Sequence, residues 1–155
     1  MNFFKHKTTI SNEIYKKLKE CGGCAAMPSL RSATIEFRLS STGKGIETDK
    51  LPNYVLEWNH FDEIVKKANS LGGIMYRGDN VVQQSGSKLG YEISYDCMEG
   101  FIAGELLGTE EGSSVTRRST YYSGILAWAG IVSLHKSQRQ GQGSFITVNE
   151  KYRNI

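Results

Sequence analysis

The stretch of the chain best suited to chemistry combines two adjacent arginines with several hydroxyl side chains. An arginine can bridge two acceptors on a guanine edge, and hydroxyl groups can reach phosphates or bases. A helix that begins here would also attract a phosphate to its N-terminus. These residue types therefore favour contact with DNA. The stretch consists of Thr116, Arg117, Arg118, Ser119, Thr120 and Tyr121.

A second basic and amide-rich segment lies between two short apolar runs, 131–134 and 144–148. Two such runs joined by a polar loop predict a β-hairpin. The tip of this hairpin could lie along a phosphate backbone or enter a minor groove. Its polar residues are His135, Lys136, Gln138, Arg139, Gln140 and Gln142, with Gly141 and Gly143 among them.

The first of two predicted helices that lead to the hairpin spans 96–107. Asp96 is a favourable N-cap, and Glu99 follows it at the spacing of a capping box. Gly108 can end the helix in the left-handed conformation.

The second predicted helix spans 114–129, with Ser114 as N-cap and Gly130 as its stop. Apolar residues at helical spacing predict that one face packs on the core. We expect the polar N-terminal half of the opposite face to contact DNA. The core face carries Val115, Tyr122, Ile125, Leu126 and Ala129, and the opposite face carries Arg117, Thr120, Tyr121, Gly124 and Trp128.

The predicted elements are a helix, a turn, a second helix and a hairpin, with basic residues on the second helix and on the hairpin. This arrangement resembles the winged helix-turn-helix family. The resemblance covers roughly residues 61–148. It implies an α+β fold with a three-helix core and the hairpin as a C-terminal wing. The first core helix would span 61–71 after a cap at Asn59 or His60, and the segment 72–95 is longer than a minimal winged helix needs.

The resemblance also implies that the second helix reads the major groove of double-stranded DNA while the wing holds the backbone. Thr116, Arg117, Arg118, Thr120 and Tyr121 would then be the DNA-binding residues of the helix. Lys136, Gln138, Arg139 and Gln140 would be those of the wing.

Residues 1–58 are expected to form an N-terminal helix and strand extension to a winged-helix domain over 59–155. A helix is predicted over 8–20 with Ser11 as its cap, and alternating apolar residues predict a strand over 33–40. A turn and a short return strand at 46–50 follow, and 54–58 forms a strand or an extended lead-in to the next helix. The N-terminal helix either packs on the core or forms a homodimer contact through Phe3, Phe4, Ile10 and Ile14.

Composition indicates an ordinary globular protein, with 39% hydrophobic and 23% charged residues among 155. No apolar run is long enough to span a bilayer, and the N-terminus lacks the apolar core of a secretion signal. Three cysteines, an odd number, argue against a disulfide framework. We therefore expect a protein of the cytoplasm of a bacterium, or of a similar reducing compartment, without membrane contact.

Charge is distributed unevenly along a chain whose net charge is only +3. Residues 114–155 contain six lysines and arginines against the single acidic residue Glu150. The remainder of the chain is therefore slightly acidic. A basic reading helix, wing and tail are the electrostatic pattern of a nucleic-acid-binding protein.

Neither a metal site nor a catalytic site is evident in the sequence. Cys21 and Cys24 have CxxC spacing, but a zinc site needs two more ligands, and no second CxxC or HxxxH exists. A thioredoxin-like motif would open a helix, whereas this one closes a helix. Asp49 directly precedes Lys50, which is the wrong spacing for a nuclease motif. No catalytic residue, metal or cofactor is assigned.

Three functions remain open. The first is a DNA-binding protein, either a small transcriptional regulator or a recognition component of a DNA-processing system such as restriction. The second is a protein-interaction module with the same fold. The third is a metal-dependent nuclease whose carboxylates come together only in space.

Overall fold

The computed structural model describes residues 9–28, 30, 34–137 and 143–155. It has an α+β fold with two antiparallel sheets, which confirms the expected class. Several residues named above lie outside the described residues, namely Phe3, Phe4, Gln138, Arg139, Gln140, Gly141 and Gln142.

The N-terminal segment consists of one helix and a four-stranded antiparallel sheet in the order β1-β2-β3-β4. The strand predicted over 33–40 is confirmed as β2. Its side chains alternate as expected, because Phe37 is buried while Glu36 and Arg38 are exposed. The elements are α1 (Thr9–Glu20), β1 (Cys24–Met27), β2 (Ile35–Leu39), β3 (Gly45–Glu47) and β4 (Leu56–Glu57).

The C-terminal segment alternates helices and strands and ends in the predicted hairpin. A strand that precedes the hairpin extends it to a three-stranded sheet in the order β5-β7-β6. The elements are α2 (Trp58–Ser70), β5 (Ile74–Tyr76), α3 (Asp79–Val82), α4 (Met98–Phe101), α5 (Ser119–Trp128), β6 (Val132–His135) and β7 (Phe145–Val148). A π-helical turn, Ile102–Leu106, continues α4, and a 3-10 turn, Glu150–Tyr152, follows β7.

The predicted N-caps of the first two helices are wrong, because these residues lie within their helices. Ser11 donates its hydroxyl to the carboxylate of Asp62 at 2.6 Å and to the carbonyl of Trp58 at 2.9 Å, which joins α1 to α2. Asn59 and His60, the alternative caps of the next helix, both lie inside α2, which begins at Trp58 with Glu57 as its N-cap, and His60 is buried.

The helix predicted over 96–107 begins at Met98, and its cap is Cys97 rather than Asp96. Gly100 donates its backbone N–H to the sulfur of Cys97 at 3.4 Å. Asp96 lies outside the helix and pairs with Lys67 at 2.9 Å. The predicted stop is confirmed, because Gly108 has a positive φ of 69°.

The segment between β5 and α4 is more ordered than its polar composition suggests. The chain forms the short helix α3 here and then packs a small apolar cluster. Ser87 is buried and donates its hydroxyl to the carbonyl of Val81 at 2.7 Å. The cluster consists of Leu89, Ile93, Cys97 and Ala103, with Val81, Val82 and Val115 packed against it.

One hydrophobic core draws on both segments of the chain. Ile10 and Ile14 of α1 are fully buried with Phe61 of α2 and Ile125 of α5, so α1 packs on the core. The boundary predicted after residue 58 falls where β4 passes directly into α2. Among the described residues, no helix has both the length and the apolar character needed to cross a membrane.

Candidate nucleic-acid interface

The helix expected to read DNA, α5, is covered along its whole length. Every one of its residues is buried or half-buried. Gly124 lies so close to β1 that a Cβ atom there would be 2.5 Å from Sδ of Met27. Trp128 meets Phe37 of β2 edge-on, with ring centroids 5.0 Å apart. The N-terminal sheet therefore covers the part of α5 that carries Gly124 and Trp128.

The two DNA-contact candidates inside α5 also have structural partners. Thr120 is half-buried and accepts a hydrogen bond from Nη2 of Arg77 at 2.7 Å. Tyr121 is half-buried and packs against the hydrophobic core. Neither side chain extends freely from the surface as a base-reading residue would.

The helix start also differs from the prediction, since residues 114–118 precede α5 instead of forming its first turn. Thr116 and Arg117 are exposed in this non-helical arm. Arg118 is half-buried, and its guanidinium carbon lies 4.8 Å from the ring centroid of Tyr54, at cation–π distance.

A buried carboxylate fixes the point where α5 begins. Glu99 is 1% exposed and accepts hydrogen bonds from the backbone N–H of Arg118 at 2.9 Å and from the hydroxyl of Ser119 at 2.8 Å. It thereby satisfies donors that a helix N-terminus leaves unpaired. Burial raises the pKa of Glu99, and these hydrogen bonds offset part of that effect. The sequence had suggested Glu99 as a partner in the capping of its own helix, so this role was missed.

Arg77 joins the base of the hairpin to the start of α5. Its backbone N–H donates to the carbonyl of Ser144 at 2.9 Å, and its Nη2 reaches Thr120 and, at 3.2 Å, Asp79. Its own carbonyl accepts the N–H of Glu99 at 3.0 Å. Arg77 is 5% exposed. The sequence gave no signal that Arg77 would be buried.

The hairpin, called the wing from here on, contributes an exposed basic residue beyond the strand base that Arg77 contacts through Ser144. Lys136 is exposed and directly follows β6. Gly143, at the other side of the wing base, lies against the side chain of Asn80 in α3. With Thr116, Arg117 and Arg118, Lys136 forms what we call the basic end.

A series of hydrogen bonds, buried at its centre, lies behind Arg118. The hydroxyl of Tyr122 is 2.7 Å from that of Tyr54 and 2.8 Å from Nδ1 of His60, whose Nε2 is 3.2 Å from a carboxylate oxygen of Glu57. A neutral His60 with its proton on Nε2 donates to Glu57 and accepts from Tyr122. Burial lowers the pKa of His60 and raises the pKa of both tyrosines. This series of hydrogen bonds holds Tyr54 in place beneath Arg118.

Groups of three His, Cys, Asp or Glu residues that could hold a metal are absent from the described part of the chain. Asp79 is close enough to Glu99 to raise the pKa of its carboxyl, but the oxygens of Glu99 already accept from Arg118 and Ser119. Cys21 and Cys24 are exposed, and Cys97 is buried.

Comparison of the chain with protein-family models, with curated proteins and with solved structures finds no match.

Proposed function

We propose that the protein is a winged-helix protein that binds double-stranded DNA through its basic end. The observation that carries the proposal is the link made by Arg77 between the wing and the start of α5. This link joins the segment that carries exposed Arg117 to the hairpin that carries exposed Lys136. The succession of α2, α4 and α5 followed by the wing supports the winged-helix assignment, since it is the order that the resemblance implies.

The proposed contact is with the phosphate backbone rather than with base edges. Because α5 is covered, it offers no face to a major groove in this arrangement. Its N-terminus is already occupied by the carboxylate of Glu99, which would repel a phosphate there. The exposed cationic side chains of the basic end can still contact phosphates. Contacts with phosphates position a protein on DNA without reading its sequence.

The distribution of charge along the chain supports binding to a nucleic acid. Residues 114–155 contain six lysines and arginines and one glutamate, although only Arg117, Arg118 and Lys136 of these residues belong to the basic end. Binding that rests on such contacts weakens steeply with salt, because each neutralised phosphate releases counterions. Either role expected from the sequence, a small transcriptional regulator or the recognition component of a DNA-processing system such as restriction, would need base contacts in addition to these backbone contacts.

Fluorescence anisotropy with a random-sequence duplex at several salt concentrations tests the proposal. Arg117→Ala is the variant of choice because Arg117 is exposed. Lys16→Ala is the matched control, since it removes one positive charge from the exposed side of α1. We expect Arg117→Ala to weaken binding equally for different sequences and to reduce the salt slope by about 1.

Two results would overturn the proposal. One is the absence of duplex binding by the wild type at low salt. The other is an equal loss of binding in Arg117→Ala and Lys16→Ala, which would show that net charge, rather than the basic end, determines the affinity.

A further inference from the structure

Two cysteines flank the turn that joins α1 to β1, and both are exposed. Cys21 directly follows the last residue of α1, and Cys24 is the first residue of β1. Only Gly22 and Gly23 separate them in the sequence. Both cysteines are free thiols rather than halves of a disulfide. We call Cys21 and Cys24 the thiol pair.

Backbone hydrogen bonds define the turn between the two cysteines. Gly22 donates its N–H to the carbonyl of Lys19 at 3.0 Å, and Gly23 donates to the carbonyl of Leu18 at 2.9 Å. This is the hydrogen-bond pattern with which glycine ends a helix. Both glycines have a positive φ, of 79° and 91°, which residues with a side chain adopt rarely. The turn therefore holds both members of the thiol pair at one end of α1.

The surroundings of the thiol pair are open and charged. A Cβ atom at Gly22 would meet no other atom within 4 Å. Cys24 begins a strand at the edge of its sheet, and its direct cross-strand partner is Arg38. Direct partners share one face of a sheet, so Arg38 lies beside the Cys24 thiol. Its guanidinium is held from the other side by Glu47 at 3.2 Å and Asp49 at 3.1 Å.

The chemistry of this pair suits a soft metal ion better than zinc or a redox reaction. Thiolates are soft ligands, and Cu(I) is one of the ions that they select. A structural zinc site takes more ligands than the pair supplies, and the described part of the chain holds no group of three His, Cys, Asp or Glu residues suited to a metal. Redox cysteines gain reactivity at a helix N-terminus, whereas Cys21 follows the C-terminal end of α1.

We propose that the thiol pair binds one Cu(I) ion through both sulfur atoms. This ion forms stable linear complexes with two thiolates, so the pair is a complete ligand set. Each thiol releases its proton to solvent as its sulfur binds, and no electron is transferred because the ion stays Cu(I). The complex carries one negative charge, which Arg38 on the same face offsets. Neither cysteine belongs to the basic end, so the inference does not rest on the proposed function.

Competition with the coloured Cu(I)–bicinchoninate complex tests the site, with fully reduced protein under nitrogen. The wild type should withdraw one Cu(I) per chain. Cys21→Ser and Cys24→Ser should each bind the ion more than about tenfold more weakly, because losing even a residue that only orients a metal ligand costs about that much. Cys97→Ser is the matched control, since Cys97 is buried, and it should bind as the wild type does.

Thiol reactivity gives a second measurement that needs no substitution. In the metal-free wild type, the exposed Cys21 and Cys24 should react rapidly with a chromogenic disulfide reagent, and the buried Cys97 should react slowly. One equivalent of Cu(I) should protect both rapidly reacting thiols and leave the slow reaction unchanged.

Three results would overturn the Cu(I) site. The first is equal withdrawal of Cu(I) by the wild type and by Cys21→Ser or Cys24→Ser. The second is sedimentation that shows one ion shared by two chains, which would assign the cysteines to a contact between copies. The third is a Cys21–Cys24 disulfide formed with glutathione disulfide in a protein whose reduced form leaves Cu(I) with bicinchoninate, which would assign the pair to redox chemistry.

Discussion

Gly124 of α5 lies against Met27 of β1, with no room for a side chain between them. A Cβ atom at Gly124 would be 2.5 Å from Sδ of Met27 and 3.2 Å from the carbonyl oxygen of Pro28. This contact closes the N-terminal sheet over the C-terminal half of α5, next to the polar half that the sequence assigned to DNA. It makes α5 a helix of the core.

Gly124→Ala should therefore destabilise the protein. In an exposed helix the same change would stabilise by up to about 1 kcal/mol, because alanine favours the helix. Here the added methyl group must displace Met27 or separate α5 from β1, and overpacking of this kind costs about 1–3 kcal/mol. Urea denaturation measures the difference. An increase in the free energy of unfolding would show that this face of α5 is open.

Glu99→Ala should lower the free energy of unfolding by about 2–4 kcal/mol, because the donors of Arg118 and Ser119 would lose their buried acceptor. Glu105→Ala is the matched control, since Glu105 is exposed in the π-helical turn that follows α4. The control should change stability by less than about 0.5 kcal/mol. Equal effects of the two substitutions in urea denaturation would show that Glu99 does not fix the start of α5.

Acid should destabilise the protein in part through His60. Burial holds the pKa of His60 below its unfolded value of about 6.5, so the unfolded chain takes up the proton more readily than the folded chain does. The stability that His60 contributes is thus present above about pH 6.5 and is lost as the pH falls. Protonation of Nδ1 would also remove the acceptor for Tyr122, although Glu57 favours the charged form.

The corresponding measurement compares wild type with His60→Asn by urea denaturation at pH 7.5, 6.5 and 5.5. Other titrating groups are common to both proteins, so their effects cancel in the difference. Wild type should lose more stability than the variant on acidification, at a rate of at most about 1.4 kcal/mol per pH unit. Parallel pH profiles would exclude His60 as the source.

Periodic burial was readable from the sequence because it leaves a pattern in neighbouring residues. Phe37 and its exposed neighbours predicted β2, and the apolar residues of 61–71 predicted most of α2. The wing followed from two apolar runs around a polar loop. The sequence also contains a pattern that indicates burial of the C-terminal half of α5. This half, from Gly124 to Trp128, is small or apolar on every side, which is typical of a buried helix.

The start of α5 and the burial of Arg77 could not be read in the same way. Both depend on groups far away in the sequence, since Glu99 contacts Ser119 and Arg77 contacts Thr120. Local capping rules choose among nearby residues and therefore favoured Ser114. The basic end depends on these long-range hydrogen bonds, so only the identity of its residues was predictable, not their arrangement.

The most direct test of the central claim is a map of amide chemical shifts in nitrogen-15-labelled protein titrated with a random-sequence duplex at low salt. DNA binding through the basic end predicts the largest changes at Thr116, Arg117 and Lys136, with the amides from Gly124 to Trp128 nearly unchanged. Largest changes within α5, β1 and β2 would mean that DNA replaces the N-terminal sheet on α5. That result, or no change at any amide, would contradict the account.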